Sequence, residues 1–545
     1  MEVLRKKYRD ELVCSSFTNK IWWEFKNHRW TDNTIGLRNV LSVDVYNMFE
    51  TFALEKSKIL EGMSDTNPRK GDIECLRNAA RGVAQNCRNT VSKDKTIKEA
   101  LERFYWGYRA PDKLHESSFE QILDQNLYLI GLDNGVYDLT THEFRQGYSE
   151  DYISRNTGNC YYEPTDRWND PIVKDIVKFV SQVLPDKSVR EYVLTLFASF
   201  CDGKIQEKFH IFVGCGGNGK SKLIDLFCNA MGQSGDGGGY CGNLPVTALT
   251  GKRPSSNAAT PEFERLKGMR FVVVQEPDQK ESMQAGRLKE ITGGDTIQAR
   301  ALHKEPIEFK PQFGMVMASN VLPTLPGDDG GVWRRMRVVR FNSKFKESPD
   351  PKDPNEFPID LNLTDKLEEW APAFFWVLMQ YYRVFREGDH GEEPILLYNE
   401  DEPRANSGLR KCVFVDTETK RYRSRNDKFN TFIHANVNDN PKNPSTAVLN
   451  MDVLWTRYSA WCKVLQVQAS MEDLRDAMEL RFDEMKESNG FRGWQKICLW
   501  SEAEMDNRSM ESSNKVASSK PVETSEAVET VAVEAGGSAG YCSSQ

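Results

Sequence analysis

Residues 214–221 run Gly214-Cys215-Gly216-Gly217-Asn218-Gly219-Lys220-Ser221, a glycine-rich turn closed by a lysine and a hydroxyl residue. That spacing suits phosphate: backbone N–H groups of the turn aim at the terminal phosphates and the following helix adds its positive end. Lys220 would neutralise the phosphates of ATP and Ser221 would ligate Mg²⁺. Such chemistry needs an acid at the end of a second strand, to polarise water or hold the metal. "FVVVQEPD" supplies Glu276, with Asp278 the weaker candidate and Gln275 where many such ATPases carry a second acid. "FGMVMASN" brings Asn320 to the end of a third strand, where an amide can hold the attacking water or sense the γ-phosphate. An amide satisfied in the turn before Pro323 would read the same way. Arg334 and Arg335 follow in "VWRRMRV". By spacing alone they are equally an arginine finger for a neighbouring subunit and a solvated pair on a strand edge.

The elements around these residues can be read from periodicity. "KFHIFV" before the turn is a buried strand, and "KSKLIDLFCNAM" after it repeats apolar residues at helical spacing. A chance glycine-rich turn would lack that strand–turn–helix context. "TIQARAL" and "PIEFKP" read as two short strands joined through His303, Lys304 and Glu305, a basic tip suited to a polyphosphate backbone or to an ordinary surface hairpin.

The expected fold class is α/β, a parallel-sheet motor over 201–345. Residues 1–125 read as helical and 126–200 as a small β unit with a helical linker broken at Pro185. A mostly helical region spans 346–500; its last module, 400–500, opens with the basic residues Arg421, Arg423, Arg425 and Lys428 and suits a winged-helix-like DNA contact or a helical clamp on the motor. Residues 501–545 are an acidic tail without enough apolar content to order itself. From Ser501 onward, eight acids and three bases leave −5 of the total −8, so the body carries only −3 and any nucleic-acid contact must be a local basic surface. Twelve scattered cysteines lack the close pairs of zinc sites. No apolar run reaches about 18 residues and the N-terminus is too charged for a signal peptide, which predicts an intracellular protein without a membrane partner.

Taken in order, the P-loop, the strand-Glu, "KEITGGD" with its basic hairpin, the strand-Ser-Asn and "WRRMRV" resemble the superfamily 3 helicases of viruses. Within them the chain is similar to the poxvirus-type primase-helicases of large DNA viruses; "IWWEFKNHRW", "NLYLIGLDNGVYDLTTHEFR" and "VLWTRYSAWCK" extend the likeness over most of residues 20–500. The resemblance implies a P-loop AAA+-like ring, hexameric, that hydrolyses ATP with Mg²⁺ and separates duplex while moving on single-stranded DNA. It implies that Gly214–Ser221 hold the nucleotide, that Glu276 is the metal-side acid and Asn320 the sensor. His303 and Lys304 become the DNA hairpin, and Arg334 or Arg335 the finger. It places the protein at sites of viral replication in the host cytoplasm or nucleus, acting on forked DNA beside a primase and polymerase. The Asp-x-Asp pair of a primase is missing, so the expectation is the helicase part, with any primase on another chain. Two other readings stay open: a ring ATPase that remodels or packages without unwinding, and a nucleotide-gated origin-binding scaffold.

Overall fold

The computed structural model describes residues 2–33, 35–109, 117–235, 238–251, 260–276, 282–300, 306–323, 325, 329–388, 407–426, 428–464, 469–482, 484–488 and 491–501. Within them the chain divides into two units, Met1–Asn426 and Asp427–Gln545.

The first unit opens differently from its helical reading. Leu12–Ser16, Ile21–Lys26 and Arg29–Asp32 form a three-stranded antiparallel meander ahead of the helices Tyr46–Glu61, Lys70–Arg88 and Thr90–Phe104. Aromatic and β-branched residues crowd "IWWEFK", and Asn27 and His28 both take positive φ (51° and 63°) between paired Lys26 and Arg29. That is the primed two-residue hairpin turn, normally announced by Asn-Gly, so a histidine in the second place hides it. A second meander, Leu129–Leu132, Gly135–Asp138 and Glu143–Arg145, follows where a small β unit is expected.

Two helices then lead into the central sheet. α1 (Pro171–Val183) is capped by Asp170, whose carboxylate accepts from Ile172 N at 2.9 Å, and α2 (Lys187–Phe200) by Asp186, which accepts from Val189 N at 3.0 Å. Each cap satisfies a helix-end N–H that would otherwise be orphaned. The sheet has five parallel strands: β1 (Phe209–Val213), β2 (Cys241–Leu244), β3 (Phe271–Val274), β4 (Gly314–Ser319) and β5 (Met336–Arg340), in the order β5-β1-β4-β3-β2. Every residue of β1 is buried, as apolar cover on both faces demands of a parallel strand. On one face lie α1, α2, α3 (Lys220–Met231) and α4 (Leu363–Glu387), whose Phe374, Phe375, Trp376, Tyr381 and Tyr382 are buried in a single core with α2 and α3. The aromatic stripe of α4 is thus core. The opposite face packs Leu288, Ile291 and Trp333 together with the hairpin strands Ile297–Ala299 and Ile307–Phe309. Along the free edge of β5 runs α5 (Val413–Asn426), where the Thr419 hydroxyl accepts from Val338 N at 3.0 Å. It covers an edge that would otherwise be open to pairing.

His210 sits mid-strand in β1, fully buried, with Nε2 3.1 Å from the Tyr192 hydroxyl. Burial, and then the cations Arg337 and Lys208, push its pKa from 6.5 down to about 3. The folded ring is neutral while the unfolded chain takes up a proton below 6.5, so this stability is complete above pH 6.5 and is lost as pH falls toward 3. His210→Gln is expected to flatten the fall in melting temperature between pH 6.5 and about 4.5, above most carboxylate titrations. An equally steep fall in the variant would remove His210 from the acid transition.

The second unit is built from Lys428–Asn436, Val448–Asn450, Met451–Val464, Met471–Phe482, Lys486–Ser488 and Phe491–Gln495. Apart from the short pair Val437–Asn438 with Cys498–Leu499, these elements run helix, strand, helix, helix, strand, strand, a winged-helix-like order closed over Phe432, Tyr458, Leu474, Met478 and Trp494. Its third helix carries four acids against two arginines in "MEDLRDAMELRF". A net −2 opposes insertion of that helix between phosphates.

Candidate functional site

β1 ends at Val213, the chain turns through Gly214–Gly219, and α3 starts at Lys220. Two glycines are required by this turn. A Cβ on Gly214 would stand 2.4 Å from both Asn218 Nδ2 and the Phe341 carbonyl oxygen. Gly219 has φ +81°, and its Cβ would meet Val183 at 2.7 Å. Cys215, Gly216 and Gly217 form the exposed rim. Among the described residues the N–H groups of Cys215 to Gly219 donate to no protein acceptor. The result is a concave run of amides at a helix N-terminus, the arrangement that binds anions.

Lys220 is 6% exposed and lies across this turn. Its ammonium donates to Gly214 O (2.8 Å), Asn320 Oδ1 (3.2 Å) and Asn218 Oδ1 (3.3 Å). Burial lowers its pKa, with the Glu276 carboxylate acting in the opposite sense. Asn218 is itself buried, and its Nδ2 has no partner among the described residues. Glu276 stands two residues beyond β3, and one of its oxygens accepts both the Ser319 hydroxyl and Asn320 N–H, each at 2.9 Å. The sheet order makes this meeting inevitable. β4 lies between β1 and β3, so Asn320 reaches Lys220 with its side chain and Glu276 with its backbone. Gln275 continues the ladder, donating its N–H to Leu244 O at 3.2 Å. Ser221 occupies the first turn of α3, exposed and without a hydroxyl partner among the described residues.

The arginines are elsewhere. Arg335 O accepts from Phe209 N at 2.9 Å, so the pair sits where β1 begins, one strand away from the turn where β1 ends. Five residues at about 3.3 Å each put roughly 16 Å between them. The two differ sharply. Arg334 has a side chain 63% exposed and meets Glu207 at 3.3 Å, whereas Arg335 is 8% exposed, donates to Gly331 O at 2.9 Å and meets Glu207 at 3.5 Å. His303 and Lys304 lie outside the described residues, as does Asp278; the strands that lead to the tip are antiparallel, with Ile297 opposite Phe309. Of the basic stretch, Arg421 is exposed on α5 and pairs with Glu418 at 2.6 Å, Arg423 is exposed, and the side chains of Arg425 and Lys428 lie outside the described set. Ser319, 1% exposed, was not singled out from sequence, although its place before the strand-ending Asn320 in "ASN" was the available signal.

Known proteins carry related sequence. A family described as "D5 N terminal like" matches residues 1–182, and a family of unknown function, DUF5906, matches 212–335. A protein of Acanthamoeba polyphaga mimivirus, provisionally named helicase L207/L206, is 35% identical over 447 residues, spanning 79% of this chain and 42% of the relative. The chain carries a D5 N-terminal-like region and is similar to proteins of large DNA viruses named as helicases and primases. A further relative, provisionally named primase C962R, comes from African swine fever virus and is 26% identical over 354 residues, 64% of this chain and 34% of that one. The chain therefore spans less than half the length of these relatives. Among solved structures, the apo C-terminal region of NrS-1 overlaps 61% of this chain and 79% of its own at a TM-score of 0.35 and 14% identity, too loosely to support anything further. Among the described residues no helix is long and apolar enough to cross a membrane, and no three His, Cys, Asp or Glu are grouped to hold a metal.

Proposed function

We propose that this chain is the ATP-hydrolysing motor of a viral replicative DNA helicase, a P-loop, AAA+-like fold of the superfamily 3 kind that works as a hexameric ring. The observation that carries it is the meeting of Lys220, Asn320 and Glu276 at the ends of three adjacent parallel strands, with an exposed arginine on the opposite edge. The names of the relatives support the same reading.

In this reading the free amides of Cys215 to Gly219 receive the β- and γ-phosphates of ATP, and Lys220 trades its present acceptors for phosphate oxygens. Mg²⁺ binds through few protein ligands alongside phosphate, which the unpartnered Ser221 hydroxyl and the second oxygen of Glu276 fit; it would add charge stabilisation at the phosphates. Asn320 orients the attacking water and Glu276 takes its proton, once the carboxylate leaves the hydrogen bonds of Ser319 and Asn320. The charge that develops on the transferred group is met by Arg334 of a neighbouring subunit, because Arg334 cannot cross a strand length to its own turn. Arg335 is the support, buried in its own subunit. His303 and Lys304 grip the phosphates of one strand without reading bases. A primase and a polymerase are the partners this implies.

Strand displacement on forks with 3′ and 5′ tails tests the proposal. ATP is expected to drive displacement by the native protein, and Glu276→Gln to bind nucleotide while losing both hydrolysis and displacement. Hydrolysis without displacement would place the chain among remodelling or packaging rings. An absence of turnover stimulated by single strands would leave a nucleotide-gated scaffold.

A further inference from the structure

Tyr422 is the point at which three segments of the motor meet. It lies on α5, 2% exposed, in the core cluster of Leu325, Val332, Trp333, Met336 and Val338. Its hydroxyl donates to the carbonyl oxygen of Pro323, three residues beyond Asn320. Its ring meets Trp333, the residue before Arg334, edge-on at 5.2 Å and 75°. The helix that carries it is held to β5 at two other places, through Thr419 on Val338 N (3.0 Å) and Glu418 on Arg340 (2.7 Å). Trp333 is equally constrained from the other side. The short helix Gly330–Trp333 is capped by Asp329, which accepts from Val332 N at 3.1 Å and also meets Lys289 at 2.8 Å.

One buried side chain therefore contacts the segment that follows Asn320 and the segment presenting the arginine. Among the described residues the Arg334 side chain, directed outward, meets Glu207 alone. Its direction follows from the short helix that ends at Trp333, whose ring packs on the Tyr422 ring. Burial raises the pKa of the phenol, so it remains a donor to Pro323 over the working pH range.

We infer that Tyr422 is a positioning residue for the arginine: through Pro323 and Trp333 it aligns Arg334 with the nucleotide held by the adjoining subunit. The inference rests on the proposed function, since it needs Arg334 to act in trans. It goes beyond that reading by giving α5, which lies outside Gly214–Ser221, a part in hydrolysis. Loops and packed side chains with two arrangements are the ordinary carriers of such coupling.

Mixed rings separate the alternatives. Tyr422→Phe keeps the ring and removes only the hydroxyl. It is expected to lower kcat about 3- to 30-fold, the span typical of coupling residues, with KM for ATP unchanged. A purely structural defect would lower melting temperature and active fraction without that split. Mixed with Lys220→Ala, whose arginine is intact, Tyr422→Phe is expected to regain activity, because its own nucleotide turn then receives a well-placed Arg334. Mixed with Arg334→Ala it is expected to regain none, since neither partner offers a good arginine. Rescue by Arg334→Ala, or an unchanged kcat, overturns the role of Tyr422 alone. Failure of Lys220→Ala and Arg334→Ala to rescue each other in demonstrably mixed rings overturns the trans reading, and this inference with it. If Tyr422→Phe does not fold, Trp333→Phe carries the same expectation of rescue by Lys220→Ala only.

Discussion

Arg334→Ala is expected to lower ATP turnover by about 10³- to 10⁵-fold, the range an arginine finger contributes. Its neighbour should behave differently. Arg335 is 8% exposed and bonded to Gly331 O within its own subunit, so Arg335→Ala should chiefly lower melting temperature, by removing a buried, bonded cation from the base of β5. The distinction follows from exposure: only Arg334, at 63%, has a side chain free to reach across a subunit boundary. Nucleotide affinity in Arg334→Ala should be near that of the native chain, because the arginine's largest contacts form as charge develops in the transition state. Steady-state hydrolysis and nucleotide binding measured on the same preparation check this. A variant that hydrolyses ATP normally would return the arginine pair to an edge pair with Glu207.

Lys220→Ala is expected to abolish measurable hydrolysis and the thermal protection that ATP confers. Removing one preorganised donor at a site of developing charge costs on the order of 10²–10³ in rate, and here the donor is also the buried cation of the turn. The fold should survive. The ammonium is 6% exposed and desolvated, held by two side-chain oxygens and one carbonyl, so the variant loses a charge the interior tolerates only through those bonds. Melting without ATP should fall modestly, as acceptors at Gly214, Asn218 and Asn320 lose their partner, so the diagnostic reading is the further shift on adding ATP. With ATP at about 100 times its dissociation constant the native protein should gain roughly 2.7 kcal/mol, and the variant should gain none. Retained turnover in a folded Lys220→Ala protein would remove Gly214–Ser221 from the chemistry.

Much of the motor can be read locally because its pieces are short and self-consistent. The apolar run of β1, the glycines that a Cβ would block, and the helical spacing of α3 are near neighbours in sequence, and so are the Asp186 cap and the break at Pro185. Those features need no distant partner to be recognised. The meander at Leu12–Asp32 escaped because its turn uses Asn27-His28, where positive φ at the second residue has no glycine to announce it. What the residues alone left open was decided by strand order and burial. β4 is fourth in sequence but lies between β1 and β3, and only that crossover carries Asn320 to Lys220 and Ser319 to Glu276. Likewise Arg334 and Arg335 are adjacent and chemically alike, and spacing cannot rank them. The turn that joins the short helix Gly330–Trp333 to β5 leaves one in solvent and folds the other back onto Gly331. Periodicity is a property of the local chain; which strand ends and which side chains meet is settled only when non-adjacent segments pair.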